Sequence, residues 1–381
     1  MVYFDNAATT YPKPVGVLNS AIFAIRDYGG NPGRSSHAFA AKISEKIFDT
    51  RVLVANLFNA QPENVVFTSN CTHSLNIAIK GLLNENDHVI ISCLEHNSVI
   101  RPIYKLLLEK NVTYSVAEYN QDDNITVNNF LKLIKKNTKM IVCTHASNVS
   151  GAILPIEKIG KLCKNNGILF CVDAAQSAGV LPIDINECKI DALCMPGHKG
   201  LYGVTGTGVL VLNKEILPSS IMQGGTGSAS FDFEQPDFLP DRLESGTANT
   251  VGICSLASGI AFINEKGMKN IYAHESKLCE YVKKTLSKNE NIIVYGNKES
   301  SCKSAPIVSF NVKGTHSNVT AEWLNKKGFA LRPGLHCSPL AHEYYKTSEI
   351  GMVRFSPSAF SSQVNVEACV KNVLDFAKKY G

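Results

Sequence analysis

The sequence predicts an α/β protein: a large domain built on a mostly parallel sheet of seven strands, with a smaller α+β domain attached. Three observations carry this. From about residue 64, short β-rich runs alternate with longer amphipathic segments. Those runs are rich in buried-type Val, Ile and Leu, as expected of strands covered by helices on both faces. Beyond about residue 260 the texture changes, and 381 residues exceed the usual size of one compact domain.

In chain order, "NVVFTS" (64–69) reads as the first strand, followed by a helix, "THSLNIAIKGLL", with Leu75, Ile79 and Leu82 at helical spacing. "HVIISCLE" is a strand, "SVIRPIYKLLLEK" a helix and "VTYSVAEY" a strand. "VNNFLKLIKKN" is a helix, "TKMIVCTHAS" a strand and "IEKIGKLCKNNG" a helix. The strands "ILFCVDAA" and "IDALCMPG" follow, and "GTGVLVLN" adds the seventh after a glycine-rich stretch. A long helix, "ICSLASGIAFINEKG", leads into "SAPIVSFNVK", "AEWLNKKG" and "GMVRFSPSAF", which suggest an antiparallel α+β unit. The expected division is 16–260 for the large domain, with 1–15 and 261–381 forming the small one. No internal repeat or low-complexity tract is visible.

Composition narrows the function. Hydrophobic residues at 44% and charged residues at 19% fit a globular chain and not a mainly disordered one. The net charge of +5 is dispersed; pairs such as Lys135–Lys136 and Lys283–Lys284 fit solvated helix faces, so nucleic-acid binding is not expected. "MVYFDNAATTYPKP" has an acidic residue at position 5 and no apolar core, so no signal peptide is expected. No run of 18 apolar residues occurs, so no membrane partner is expected either. The 12 cysteines include no C-x-x-C, and H-E-x-x-H is missing, so no metal is expected. Eleven cysteines read as structural, reduced residues of a cytoplasmic protein; Cys337 is the exception.

In open α/β sheets, ligands gather beyond the carboxyl ends of the strands. There stand Asn70, Cys71, Thr72 and His73 at a helix start, then His96, Asn148, Asp173 with Gln176, and His198 with Lys199. A helix start suits a phosphate. Singly, each residue has an ordinary reading as a turn, a cap or a satisfied histidine. Together, on consecutive strands, they suggest a site.

Lys199 lies among glycines in "CMPGHKGLYGVTGTG" (194–208). This is not a dinucleotide fingerprint, because the glycines run into a strand and not a helix, and no G-x-x-x-x-G-K-[ST] occurs. A lysine amine, an aspartate and a helix start for phosphate fit pyridoxal 5'-phosphate, which offers an aldehyde, a ring nitrogen and a phosphate. Lys199 would form the Schiff base, Asp173 would keep the ring nitrogen protonated, and His96 would stack on the ring.

The motifs "YFDNAATT", "GNPGRSSH", "CLEHNSVIRP", "SNVSGAILPI", "VDAAQSAG", "GHKGLYGVTGTGVL", "ESGTANT" and "RPGLHCSP" span nearly the whole chain in order. They resemble the cysteine desulfurases and selenocysteine lyases, group V pyridoxal-phosphate enzymes of the aminotransferase superfamily. The resemblance implies a fold-type I homodimer with active sites at the subunit interface. It implies that Gln176 and Asn148 contact the cofactor's phenolic oxygen and the substrate side. It places Thr72 and His198 at the phosphate, and has Thr247 reach in from the partner subunit. Arg354 would grip the substrate carboxylate through its fork. It makes Cys337 the nucleophile that takes sulfur from L-cysteine, releasing alanine, with Lys199 moving the Cα proton and His96 assisting. A sulfur-acceptor protein or a small thiol would then receive the sulfur.

His336 and Arg332 near Cys337 supply local charge expected to favour its thiolate. On residues alone, Cys337 could equally be a partly buried loop cysteine. Many relatives have Ala-Thr-Glu in place of Cys71-Thr72-His73, and Ser or Thr in place of Pro196; both departures bear on cofactor affinity. Selenocysteine lyase is the nearest alternative. An aminotransferase or epimerase of the same fold, or a cofactor-binding partner in a sulfur-transfer assembly, is more distant.

Overall fold

The alternating runs form one sheet whose strand ends converge on a single cavity. A computed structural model describes residues 1–33, 37–296 and 304–381. The chain opens with β1 (Val2–Tyr3), α1 (Val15–Asp27) and α2 (Ala38–Phe58). The sheet region comes next: β2 (Val65–Thr68), α3 (Cys71–Leu82), β3 (His88–Ser92), α4 (Asn97–Lys110), β4 (Thr113–Ala117) and α5 (Asp123–Leu131). It continues through β5 (Thr138–Thr144), α6 (Ile156–Asn165), β6 (Leu169–Asp173), β7 (Ala192–Pro196) and β8 (Gly208–Leu212).

The strand order is β2-β8-β7-β6-β5-β3-β4, and only β8 runs antiparallel to its neighbours. Alternate residues enter different cores, which is why the strands read as unbroken apolar runs. Ile90, Ile141 and Val172 pack on one face, and Val89, Val142 and Cys171 on the other. Gly208 is required where β8 passes the start of α3: a Cβ there would lie 2.4 Å from the Asn70 carbonyl carbon.

Beyond β8 runs α7 (Thr250–Lys266), whose Ile253, Leu256, Ile260 and Ile263 join the large-domain core beside Val54 and Phe58. Residue 260 therefore falls inside this helix. We place the boundary instead at Gly267, which ends α7 with φ 80 and precedes α8 (Met268–Leu286). The remaining elements are β9 (Ile292–Tyr295), β10 (Val308–Val312), α9 (Ser317–Lys326), β11 (Phe329–Ala330), α10 (Pro339–Tyr344), β12 (Val353–Phe355) and α11 (Gln363–Tyr380). The order β12-β10-β9 forms an antiparallel sheet. The N-terminal segment returns to this unit: β1 pairs with β11, and Phe4 packs with Phe310, Phe355 and Phe376. No helix among the described residues is long and apolar enough to cross a membrane.

Candidate active site

Strands β3, β5, β6 and β7 end on one side of the sheet, and residues at or just beyond their ends line a cavity of about 120 Å³. Nine of the strand-end residues singled out in the sequence line it: Asn70, Cys71, Thr72, His96, Asn148, Asp173, Gln176, His198 and Lys199. Burial and the nearby Arg354 charge push the Lys199 pKa down, favouring the neutral amine. Its backbone is pinned, with the Lys199 carbonyl accepting from Thr10 Oγ1 at 2.8 Å. Gly200 stands beside it because a Cβ there would lie 2.4 Å from the Ala178 carbonyl oxygen.

Asp173 is 2% exposed, and its Oδ1 accepts from Ala175 N at 2.8 Å and from Cys71 Sγ at 3.5 Å. Burial drives the Cys71 thiol pKa well up, so Cys71 is a protonated donor here. Its thiol adds a weak bond to the aspartate. Asn70 caps α3 by accepting from His73 N at 2.9 Å, which leaves the Cys71 and Thr72 N–H groups at the cavity end of the helix. Pro196 also lines the cavity and offers no hydroxyl.

The cap of α4 fixes the His96 tautomer. Nδ1 accepts from Ser98 N at 3.1 Å, so the proton of the neutral ring sits on Nε2. Burial, the largest influence, lowers its pKa and keeps the ring neutral. His198 is likewise pushed down by burial to about 4, and its Nδ1 meets Thr9 Oγ1 at 3.0 Å.

Asn148 joins this cavity to the cysteine loop. Its Nδ2 donates to the His336 carbonyl at 2.8 Å, its Oδ1 accepts from Ser338 Oγ at 2.8 Å, and its carbonyl accepts from Arg354 Nη1 at 2.9 Å. Between His336 and Ser338 stands Cys337, whose carbonyl accepts from Asn97 N at 2.7 Å. Cys337 is the only exposed cysteine among the described residues. Of the eleven read as structural, ten are buried or half-buried, and Cys302 lies outside the described residues. His336 does not supply the charge expected of it. Burial and the Arg354 charge push its pKa down to about 3, so the ring is neutral and adds no cation beside Cys337.

Two residues stand apart from the expected contacts. Arg354 is 1% exposed, and its fork is already engaged, with Nη2 on Asp5 Oδ1 at 2.6 Å and Nη1 on Asn148; Nε is buried without a partner. A substrate carboxylate must therefore use Nε or share the fork with Asp5. Thr247 is exposed and lines a different cavity, with Ser69, His73 and Thr207, across the start of α3 from Lys199. Within one chain it does not reach the lysine cavity. Residues 34–36 of the "GNPGRSSH" motif lie outside the described residues.

The N-terminal segment covers the site, a role that its residues taken one by one do not announce. Lys13 Nζ donates to the His198 carbonyl at 2.7 Å, Gln176 Nε2 to the Ala7 carbonyl at 3.0 Å, and Asp5 pairs with Arg354. The signal was present in "YFDNAATT", but neither spacing nor residue type says which strand end it covers.

A buried lysine held toward its neutral form, a buried carboxylate with Oδ2 uncommitted, and a helix start at the same cavity fit pyridoxal phosphate: aldehyde, ring nitrogen and phosphate respectively.

The aminotransferase class-V family profile matches residues 2–369. A probable cysteine desulfurase of Borreliella burgdorferi is 34% identical over 96% of this chain and 89% of its own length. One from Pyrococcus abyssi is 33% identical over 96% and 92%. The apo structure of a cysteine desulfurase from Thermococcus onnurineus NA1 superposes with a TM-score of 0.92 at 30% identity, covering 99% of this chain and 95% of that one.

Proposed function

This chain belongs to the aminotransferase class-V family, among its cysteine desulfurases, and on that premise we propose that it converts L-cysteine to L-alanine with the sulfur left as a persulfide on Cys337. The observation that carries the role of Cys337 is its tether. Asn148, in the wall of the lysine cavity, holds the residues on both sides of an exposed thiol.

Pyridoxal phosphate, when bound, supplies the sink for the electron pair left at the substrate Cα. The protein's residues do the rest. Lys199 is the group that holds the cofactor's aldehyde carbon, and Asp173 is the carboxylate for its ring nitrogen. Thr72, the Cys71 N–H and His198 would hold its phosphate, Gln176 and Asn148 would contact its phenolic oxygen, and His96 would stack on its ring. Burial lowers the Lys199 pKa toward the range of a general base, and its amine is the group that would take the Cα proton. Arg354 Nε remains to orient the substrate carboxylate. The Cys337 sulfur then attacks the substrate Sγ: an S–S bond forms as the Cβ–Sγ bond breaks. The thiol sulfur is oxidised, Cβ is reduced to the methyl of alanine, and no outside oxidant is needed. His96, with its proton on Nε2, is placed to donate.

The same reading includes a homodimer in which Thr247 of the partner subunit completes the phosphate site. Exposed Leu18, Ile22 and Ile25 on α1, with Phe231 and Phe233, support a face covered by a second copy. Eleven free cysteines among the described residues support a reducing, cytoplasmic setting, and an acceptor protein or small thiol takes the persulfide sulfur.

The test is Cys337→Ala. The variant should bind cofactor and L-cysteine as the wild type does, and form alanine and sulfide at a rate lower by about three orders of magnitude. Release of sulfide at the wild-type rate, or a persulfide mapped only to another cysteine, would overturn the assignment.

A further inference from the structure

Cys337 owes its position to a strained backbone. His336 and Cys337 have φ of 49 and 57, two consecutive residues with side chains in the left-handed region. The large domain holds this pair only through its carbonyls, via Asn148 Nδ2 and Asn97 N. What holds the His336 side chain is a second imidazole.

The side-chain hydrogen bonds are all satisfied by one arrangement of protons, with the Leu335 and Thr347 carbonyls also facing His342. His336 Nε2 lies 3.2 Å from the Arg332 carbonyl, which can only accept, so the proton is on Nε2. Nδ1 of the same neutral ring is then an acceptor. Facing it at 3.4 Å is Nε2 of His342 in α10, which must donate. That leaves His342 Nδ1 as an acceptor, and Thr347 Oγ1 stands 2.8 Å away to donate to it. The two rings lie nearly parallel, 15° apart, with centroids at 5.6 Å. They are 4% and 0% exposed, so no water competes for these bonds. Burial depresses both histidines, in keeping with neutral rings.

We propose that His342 is a positioning residue for the Cys337 thiol, acting through His336 along the chain Thr347 to His342 to His336 to the Arg332 carbonyl. The chain ends on a structurally informative acceptor. The Arg332 carbonyl also receives Arg354 N at 2.8 Å, so one oxygen ties the ring beside the thiol to the backbone of the carboxylate-binding arginine. Removing the His342 donor strands His336 Nδ1 in a buried place. The ring can be satisfied again only by moving, and its backbone then leaves the left-handed region that presents Cys337.

The proposal rests on the desulfurase reading of Cys337, and the experiment separates the two. Alanine formation from L-cysteine is measured for wild type, Cys337→Ala, His342→Leu, His342→Gln and Thr347→Val. Cofactor affinity is followed by absorbance titration. His342→Leu should lower kcat about tenfold or more, with KM for L-cysteine and cofactor affinity within about twofold of wild type. His342→Gln keeps a donor at the Nε2 position facing His336 and gives up only the Thr347 contact, so it should restore kcat to within about threefold. Thr347→Val frees His342 to change tautomer and should lower kcat about threefold, which keeps the proposal testable if His342→Leu does not fold. Wild-type kcat in His342→Leu or in Thr347→Val would overturn the proposal. So would a glutamine variant as impaired as the leucine one, or equal losses of kcat and cofactor affinity. If Cys337→Ala is itself fully active, the desulfurase reading fails first.

Discussion

Arg354 of β12 donates to Asp5 of the N-terminal segment at 2.6 Å, joining residues 349 positions apart across the mouth of the site. Their side chains are only 2% and 19% exposed. Removing one partner of a shielded pair leaves a buried charge uncompensated, so Asp5→Ala should cost about 3 kcal/mol in urea unfolding. Arg354→Lys keeps a charge but loses the planar fork, and should raise KM for L-cysteine about tenfold with a smaller change in cofactor affinity. An unchanged KM would make Arg354 a purely structural anchor of the N-terminal segment.

The lysine assignment has an optical test. Protein purified with pyridoxal phosphate should be yellow, and borohydride should fix the cofactor to Lys199, the amine that burial and Arg354 hold toward neutrality. Peptide mapping locates the adduct. A label on another lysine, or a protein that takes up no cofactor, would remove the assignment.

Thr247 lines a cavity apart from Lys199 in the same chain, so the role proposed for it requires a second copy. Sedimentation should show a dimer. Mixed and refolded, Lys199→Ala and Thr247→Ala chains should recover about a quarter of wild-type activity, since half the dimers are mixed and each of those carries one complete site. Recovery of nothing beyond the activity of Thr247→Ala alone would mean that Thr247 acts within its own subunit or not at all.

Local and long-range order differ in how legible they are. Strands β3, β5, β6 and β7 announce themselves because both faces are buried, and the first three end on polar Ser92, Thr144 and Asp173, while His198 and Lys199 follow the end of β7. Helix α1 does not: Val15, Leu18, Ile22 and Ile25 are exposed while Val17 and Ala24 are buried, so apolar residues ring the helix and blur its period. Helix α7 itself is legible down to its terminal Gly267, whereas its packing on α1 and α2, which associates it with the large domain, is long-range and carries no local signal. Within the site, the groups at strand ends were legible one at a time. The contacts that close it, Asp5 to Arg354, Asn148 to Ser338 and His336 to His342, depend on loop paths that no periodicity encodes. The neutral state of His336 was also beyond reach, since it arises from burial against Arg354.

Buried titratable groups fix the pH dependence of stability. Burial pushes His88, His145 and His198 down to about 4, and His336 to about 3. Burial raises Glu95 and Glu275 to about 8. For the histidines, the unfolded chain binds more protons than the native one between their folded values and about 6.5, so stability falls as the pH drops through that window. The two carboxyls act with the opposite sign: the native state binds more protons between about 4.5 and 8, so their contribution is lost as the pH rises toward 8. Below about pH 6.5 the four histidines outnumber the two carboxyls, and between about 6.5 and 8 the carboxyls set the slope, before Lys13, lowered by burial to about 8, begins to oppose them; this places the stability maximum near pH 6.5. Melting temperature across pH 4.5–8.5 checks this. Glu275 accepts from the Tyr202 hydroxyl at 3.4 Å and shares a small cavity with Lys199 and Gln176; read as melting temperature and not activity, Glu275→Gln should flatten the alkaline limb and leave the acid limb unchanged. A melting temperature still rising between pH 7 and 8.5 in the wild type would show that these carboxyls are ionised in the native state.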